Sequence, residues 1–101
     1  MIIIYTTTKT QKDAKLISKK LLEKKLIACA NIFPIESMYL WDNKINEENE
    51  YAVILKTRNE LFEKVKNELK LIHKYETPAI ISWNVDKADQ KYVDWIKTET
   101  S

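Results

Sequence analysis

The sequence predicts an α+β sandwich with elements in the order βαββαβ, followed by a C-terminal helix. Four runs rich in β-branched and aromatic residues predict the strands. Two intervening segments with apolar residues at helical spacing predict the helices, and turn or capping residues mark their boundaries. The chain has 101 residues, 45% apolar and 32% charged, which suffices for one hydrophobic core without disulfides. We therefore expect one domain over residues 1–101.

The first strand and helix occupy approximately residues 2–24. Residues 2–7 are apolar on both faces, which is typical of a central strand. Thr10 followed by Asp13 predicts a helix start. The core-facing stripe of that helix is expected to contain Ala14, Ile17 and Leu21, widened by Leu16 and Leu22.

Residues 28–41 and 51–56 are predicted to form the second and third strands, joined as a hairpin. Pro34 within the first of these predicts a bulge or a sheet edge. The chain contains no glycine, so we expect only Asn or Asp wherever a left-handed residue is needed, and Asp42 and Asn43 in this tight turn. Residues 46–49 are expected to form a polar hairpin end or an irregularity.

The second half of the chain repeats the helix and strand. Thr57 and Glu60 match a capping box at the start of the second helix, which ends before Pro78. Residues 79–85 are predicted to form the fourth strand, and Asp89 to cap a short final helix. This order is that of a ferredoxin-like sandwich, in which both main helices lie on one face of a four-stranded antiparallel sheet.

The other sheet face is predicted to be unusually apolar. Strands that meet water alternate with polar residues, whereas Ile3, Ile54 and the Ile80-Ile81 pair break this alternation. Each exposed Ile would forgo about 1.5–3 kcal/mol of burial. A second copy of the chain is the cover that we expect, and a C-terminal helix folded over this face is the alternative.

Composition excludes several classes of function. Without glycine there is no phosphate-binding loop of the Walker or dinucleotide type. A net charge of +2 and a single arginine, Arg58, do not favour nucleic-acid binding. The third strand is aliphatic at the positions where RNA-recognition domains need aromatic rings. An acylphosphatase-like enzyme is also disfavoured, since residues 6–12 lack glycine and arginine.

The expected compartment is the cytoplasm. The apolar run after Met1 is too short for a signal peptide or a membrane span, so no membrane association is expected. A lone cysteine, Cys29, fits a reducing environment.

Cys29, His73 and Glu76 are the candidate metal ligands. A thiolate and an imidazole suit copper or zinc, and a carboxylate three residues after the imidazole is a possible third ligand. The spacing is not specific. Cys29 could instead serve as a small buried hydrophobic residue. His73 could instead bind the last carbonyl groups at the end of a helix.

Five segments of the chain, in order, resemble the signatures of the CutA divalent-cation tolerance proteins. Together they span nearly the whole sequence. They are Ala28-Cys29-Ala30-Asn31-Ile32 with Pro34, Ser37-Met38-Tyr39-Leu40-Trp41 with Lys44, Lys56-Thr57, His73-Lys74-Tyr75-Glu76-Thr77-Pro78, and Tyr92-Val93-Asp94-Trp95-Ile96.

This resemblance implies a non-catalytic homotrimer similar to the PII signalling proteins, with strands paired between subunits. It implies a role in tolerance of copper and other divalent cations, with no obligatory cofactor and Cu(II) as a candidate ligand. Cys29 matches the cysteine implicated in metal binding, and His73 and Glu76 match polar positions. Asn43 and Lys74 depart from the family's usual glycine and proline.

A PII-like sensor is the alternative function. Such a protein would bind a small molecule in the clefts between subunits. The candidate residues for this site are Lys56, Arg58, Tyr75 and Glu76.

Overall fold

The computed structural model describes all residues 1–101 and confirms the ferredoxin-like α+β sandwich. The elements are β1 (Ile2–Thr8), α1 (Gln11–Glu23), β2 (Cys29–Trp41), β3 (Lys44–Thr57), α2 (Phe62–Ile72), β4 (Ile81–Asn84) and α3 (Gln90–Glu99). A single 3-10 turn, Asn59–Leu61, precedes α2. The sheet is antiparallel throughout, in the strand order β2-β3-β1-β4.

The core lies between the sheet and helices α1 and α2. Alternate residues of β1, beginning with Ile2, are buried, and the sheet contributes Val53 and Leu55 from the neighbouring strand. Pairing with β3 on one side and β4 on the other makes β1 a central strand, as predicted. Leu16 and Leu22 are exposed, so the buried stripe of α1 is narrower than expected. The helices contribute Ala14, Ile17, Leu21, Leu61, Val65 and Leu69.

Helix α1 has a well-formed cap at each end. The Thr10 hydroxyl accepts the backbone N–H of Asp13 at 3.1 Å, which confirms the predicted start. At the other end Lys25 has φ of 58°, and its N–H and that of Leu26 donate to the carbonyls of Leu22 and Leu21. This is the Schellman arrangement that glycine usually completes. The expectation that only Asn or Asp would adopt the left-handed conformation is therefore wrong at Lys25.

The β2–β3 hairpin turns as predicted but is longer. Asp42 and Asn43 have φ of 54° and 60°, the signs of a type I′ turn. Pairing then continues in constant register, so the irregularity expected at residues 46–49 does not form. Pro34 lies on β2, which is an edge strand, and no bulge is needed because an edge leaves its missing N–H without consequence.

The predicted capping box at the second helix is wrong. The Thr57 hydroxyl donates to the carbonyl of Leu26 at 2.7 Å instead of capping the helix. Glu60 pairs with Arg58 at 3.3 Å, and the 3-10 turn intervenes before α2. Thr57 is fully buried, and its hydroxyl joins β3 to the segment that follows α1. At the far end, β4 is confined to Ile81–Asn84, whereas Asp89 caps α3 as predicted.

Half of the long hairpin projects beyond the rest of the sheet. Strand β1 pairs only with residues 51–57 of β3, which leaves residues 35–41 and 44–50 as a two-stranded arm. Within the arm only Glu50 is buried. Leu40 and Ile45, which face each other across the strands, are 74% and 72% exposed, and Trp41 is 60% exposed. An isolated two-stranded hairpin is at best marginally stable in water.

The sheet face opposite the helices, here called the open face, stays partly uncovered. Phe33, Ile81 and Trp83 are all exposed on it. Helix α3 reaches only its end, where the Lys56 ammonium lies 5.5 Å from the centre of the Tyr92 ring. The alternative in which the C-terminal helix covers this face is therefore wrong.

Candidate functional site

Cys29 lies on the open face, at the start of β2. The strand register places it beside Lys56, which is followed across the sheet by Ile3 and Trp83. The thiol is a free, half-buried group, and its polar contact is a 3.8 Å approach to the side-chain oxygen of Asn31. Cys29 is thus neither a fully buried core residue nor part of a hydrogen-bonded network.

His73 directly follows α2 and lies beside the end of β1, where its Nε2 is also 3.4 Å from the buried Thr6 hydroxyl. Its Nδ1 accepts the backbone N–H of Tyr75 at 3.0 Å, so the ring proton belongs on Nε2, which lies 2.8 Å from the carbonyl oxygen of Thr7. Burial lowers the pKa of His73, although the Thr7 carbonyl and the charges of Asp13 and Glu50 act in the other direction. Both ring nitrogens of the neutral imidazole are therefore occupied by hydrogen bonds to the backbone.

The loop after His73 is fixed to two further elements. Lys74 forms a 2.9 Å ion pair with Asp13 of α1, and this contact lowers the pKa of the Asp13 carboxyl. The Tyr75 phenol donates a 2.5 Å hydrogen bond to Glu50 of β3. Burial and this carboxylate together raise the pKa of Tyr75 well above its usual range. Consecutive residues thus attach the loop to β1, α1 and β3.

A cavity of about 570 Å³ opens between this loop and the root of the arm. Its lining combines aromatic rings with carboxylates. The pKa of Tyr39 is raised by desolvation and by a hydrogen bond to Glu48. Its residues are Thr7, Lys9, Tyr39, Trp41, Asn46, Glu48, Glu50, Lys74, Tyr75, Glu76, Thr77 and Ala79.

The structure does not bring the three predicted metal ligands together within one subunit. The register places Cys29 level with Ile3, whereas His73 binds Thr7, four residues or about 13 Å further along β1. Glu76 lies near His73, in the lining of the cavity. No group of three or more His, Cys, Asp and Glu side chains is arranged to hold a metal ion.

The residues proposed for a sensor site are likewise divided. Tyr75 and Glu76 line the cavity. Lys56 lies beside Cys29, and the Arg58 guanidinium is held by Thr100 at 2.9 Å.

Comparison with known proteins decides the family. The sequence pattern of the CutA1 divalent ion tolerance proteins matches residues 2–99. The chain belongs to the CutA1 family. The divalent-cation tolerance protein CutA of Archaeoglobus fulgidus is 45% identical over 93 residues, which cover 92% of this chain and 91% of that protein.

Solved CutA structures have the same fold as this family member. The crystal structure of CutA1 from Pyrococcus horikoshii matches 100% of this chain and 99% of its own, with a TM-score of 0.97 and 42% identity. The structure described as the periplasmic divalent cation tolerance protein CutA from Archaeoglobus fulgidus has a TM-score of 0.96 at 43% identity, covering 98% of each chain. The resemblance read from the five segments is confirmed.

Sequence reasoning missed the carboxylate side of the cavity in this CutA1 family member. Glu48 and Glu50 alternate in register with Ala52 and Ile54, so their period places them on the open face. That signal was present in the sequence. It assigns Glu48 and Glu50 to the open face only if β3 continues through residues 46–49, a segment that was expected to be irregular.

No helix of this CutA1 family member has the length and apolar content that crossing a bilayer requires.

Proposed function

We propose that this divalent-cation tolerance protein acts as a homotrimer that binds Cu(II) or a similar cation through Cys29, without catalysing a reaction. The observation that carries the proposal is the position of Cys29. Its thiol is free and half-buried, beside an apolar face that needs a cover. A soft thiolate is a preferred ligand of copper and zinc.

The arm supports assembly into a ring. Its residues have few contacts beyond the two strands, and residues 44–50 of β3 have an unpaired edge. Adding this edge to a strand of another copy would satisfy its backbone groups and bury Leu40 and Ile45. Pairing of this edge with a different strand of the next copy is a heterologous contact, which forms a ring when the rotation between copies closes. The resemblance to the PII-like trimers favours three subunits.

Assembly also bears on the metal ligands. Cys29 and His73 are too distant to share an ion within one chain, so a shared site requires residues from two subunits. Ligation by His73 further requires loss of the Tyr75 N–H bond or displacement from Thr7. We therefore place Cys29 first, with His73 and Glu76 as secondary ligands.

The same distances within one subunit support a non-catalytic role. Activation of a cysteine nucleophile needs a base within hydrogen-bond reach. His73 is the only histidine, and it is separated from Cys29 by about 13 Å along the sheet.

Copper titration and sedimentation test the proposal. We expect the wild type to sediment as a trimer and to bind Cu(II), with a thiolate-to-copper absorption band that Cys29→Ala abolishes. His73→Asn serves as the matched variant and should keep that band. Equal binding by wild type and Cys29→Ala would overturn the thiol site, and a folded monomer at low concentration would overturn the assembly.

Cytoplasmic placement is part of the proposal. It is supported by the single free thiol, which suits a reducing compartment. The Archaeoglobus fulgidus structure is described as a periplasmic protein, so an experiment must distinguish the cytoplasm from the periplasm. Fractionation of source cells should recover the protein with a cytoplasmic marker, and recovery with a periplasmic marker would contradict this.

A small-molecule sensor is a second candidate, favoured by the cavity. About 570 Å³ falls within the range of ligand sites, and Tyr75 and Glu76 line it as expected. Lys56 and Arg58 lie elsewhere, so the cavity is poorer in cations than the original sensor hypothesis assumed.

A further inference from the structure

We propose that the cavity beside the arm binds an organic cation, specifically an aliphatic diamine or polyamine, held between the carboxylates of Glu48 and Glu50 and the aromatic rings of Tyr39, Trp41 and Tyr75. This inference rests on the second candidate function, the small-molecule sensor, and names its ligand class. It is independent of metal binding at Cys29.

The charge of the lining favours a cation. Glu48, Glu50 and Glu76 contribute three carboxylates, whereas Lys9 and Lys74 contribute two ammonium groups. Lys74 is already neutralised by Asp13 at 2.9 Å. One unpaired ammonium, that of Lys9, then faces three carboxylates, which leaves a formal charge of −2.

Glu50 is the most constrained of these acids. It is 92% buried, yet none of the four ion pairs in the chain includes it. Its partner is the neutral Tyr75 phenol at 2.5 Å. A buried carboxylate is costly unless it is paired, and a carboxylate accepts more than one hydrogen bond. The remaining acceptor positions of Glu50 suit an ammonium group.

The aromatic rings select an organic cation over an anion. An ammonium group over the face of a Trp or Tyr ring is stabilised by the ring quadrupole, most strongly when it is desolvated. The Tyr75 hydroxyl also binds Glu50 at 2.5 Å, so this carboxylate is held in position before a ligand arrives.

Spacing favours two separate ammonium groups over a single metal ion. Glu48 and Glu50 are two residues apart on the same face of β3, which separates their backbones by about 7 Å. The side chains of the cavity do not form a three-ligand metal cluster. An alkyl diamine matches this arrangement because it places one charge at each carboxylate and lays its methylene groups along the rings.

Calorimetry on the intact protein tests the proposal. We expect putrescine and spermidine to bind, butylamine to bind roughly tenfold more weakly because it can satisfy only one carboxylate, and neutral butanediol not to bind. Glu48→Gln and Glu50→Gln should each weaken putrescine binding by roughly 10- to 100-fold. Trp41 should report binding through its fluorescence.

Glu47→Gln is the matched control, because Glu47 belongs to the same strand and carries the same charge but lies on the opposite sheet face. It should leave putrescine binding unchanged. Glu50→Gln is a change at a buried position, so thermal melting is recorded for it. Glu48→Gln, at an exposed position, keeps the test valid if Glu50→Gln fails to fold.

Three outcomes would overturn the inference. They are no putrescine binding at millimolar concentration, equal weakening by Glu47→Gln and Glu48→Gln, and binding of butanediol as strong as that of putrescine. Adenosine monophosphate is tested separately. If it binds and putrescine does not, the sensor function is retained and the diamine is rejected as the ligand. Cys29→Ala should bind putrescine like the wild type, which separates this site from the metal proposal.

Discussion

The Tyr75 phenol donates a 2.5 Å hydrogen bond to the Glu50 carboxylate, which joins the loop after α2 to the middle of β3. The two residues are 25 positions apart, and Glu50 is the last residue of the arm before β3 enters the four-stranded sheet. The contact therefore fixes the loop, the cavity wall and the base of the arm with respect to one another.

Tyr75→Phe is expected to destabilise the fold by about 1–3 kcal/mol, because the buried Glu50 carboxylate loses its hydrogen-bond donor. Urea unfolding measures this change. Tyr92→Phe is the matched control, since Tyr92 offers its ring to Lys56 and its hydroxyl has no hydrogen bond within the chain. Equal effects of the two substitutions would show that the hydroxyl of Tyr75 contributes nothing specific.

His73 is expected to make stability pH-dependent in the mildly acidic range. Burial lowers its pKa in the folded state below the ordinary value of 6.5, so folding favours the neutral ring. This stabilisation is complete above pH 6.5 and is lost as the pH falls through 6.5 towards the folded pKa, by at most about 1.4 kcal/mol per pH unit. Protonation of Nδ1 would also remove the acceptor of the Tyr75 N–H.

Unfolding midpoints between pH 8 and pH 5 measure the contribution of His73. His73→Asn should flatten the profile in this range, because His73 is the only histidine. The lowered pKa of Asp13 adds a loss of stability only at more acidic pH, below the ordinary value of 3.8. A wild-type profile that stays flat down to pH 5 would contradict the assignment.

Lys25→Gly is expected to stabilise the protein by about 1 kcal/mol, because glycine adopts the left-handed conformation without the steric cost of a Cβ atom. Thermal unfolding measures the gain. Lys20→Gly, in the last turn of the same helix, should instead destabilise by about 1 kcal/mol. If both substitutions change stability in the same direction, the conformation at Lys25 is not the cause.

Thr57→Val is expected to cost about 1–3 kcal/mol, since it leaves the Leu26 carbonyl without the Thr57 hydroxyl. Glu60→Gln should change stability by less than about 0.5 kcal/mol, because its ion pair with Arg58 is exposed on the Glu60 side. Denaturant titration of both variants separates this arrangement from a capping box, in which both residues would contribute.

Local pattern was sufficient for most of the fold. The start of α1 at Thr10, the Asp42-Asn43 turn and the cap at Asp89 each depend on contacts within a few residues, and each was predicted correctly. Thr57 was not, because its hydroxyl has two possible partners and the chosen one, Leu26, is 31 residues away. The choice between accepting from a local backbone N–H and donating to a distant carbonyl has no signature in a local pattern.

The candidate site was predicted only in part, for the same reason. Tyr75 and Glu76 were identified from their segment, but Glu48 and Glu50 acquire meaning only from the register of β3. Cys29 and His73 were considered as partners, and the register places them four residues apart along β1, level with Ile3 and Thr7. Strand registers are set by pairing across the whole sheet, which spacing along the chain does not reveal.

The sequence by itself determined the order of elements, the absence of glycine-dependent phosphate sites, an apolar second sheet face and membership of the CutA1 family, because periodicity, composition and motifs are properties of the chain. Tertiary structure alone decided that α3 leaves the open face uncovered, that the arm extends past β1, and that a carboxylate-lined cavity forms beside Tyr75. These features arise where segments distant in sequence meet, and their geometry is set by packing and strand register.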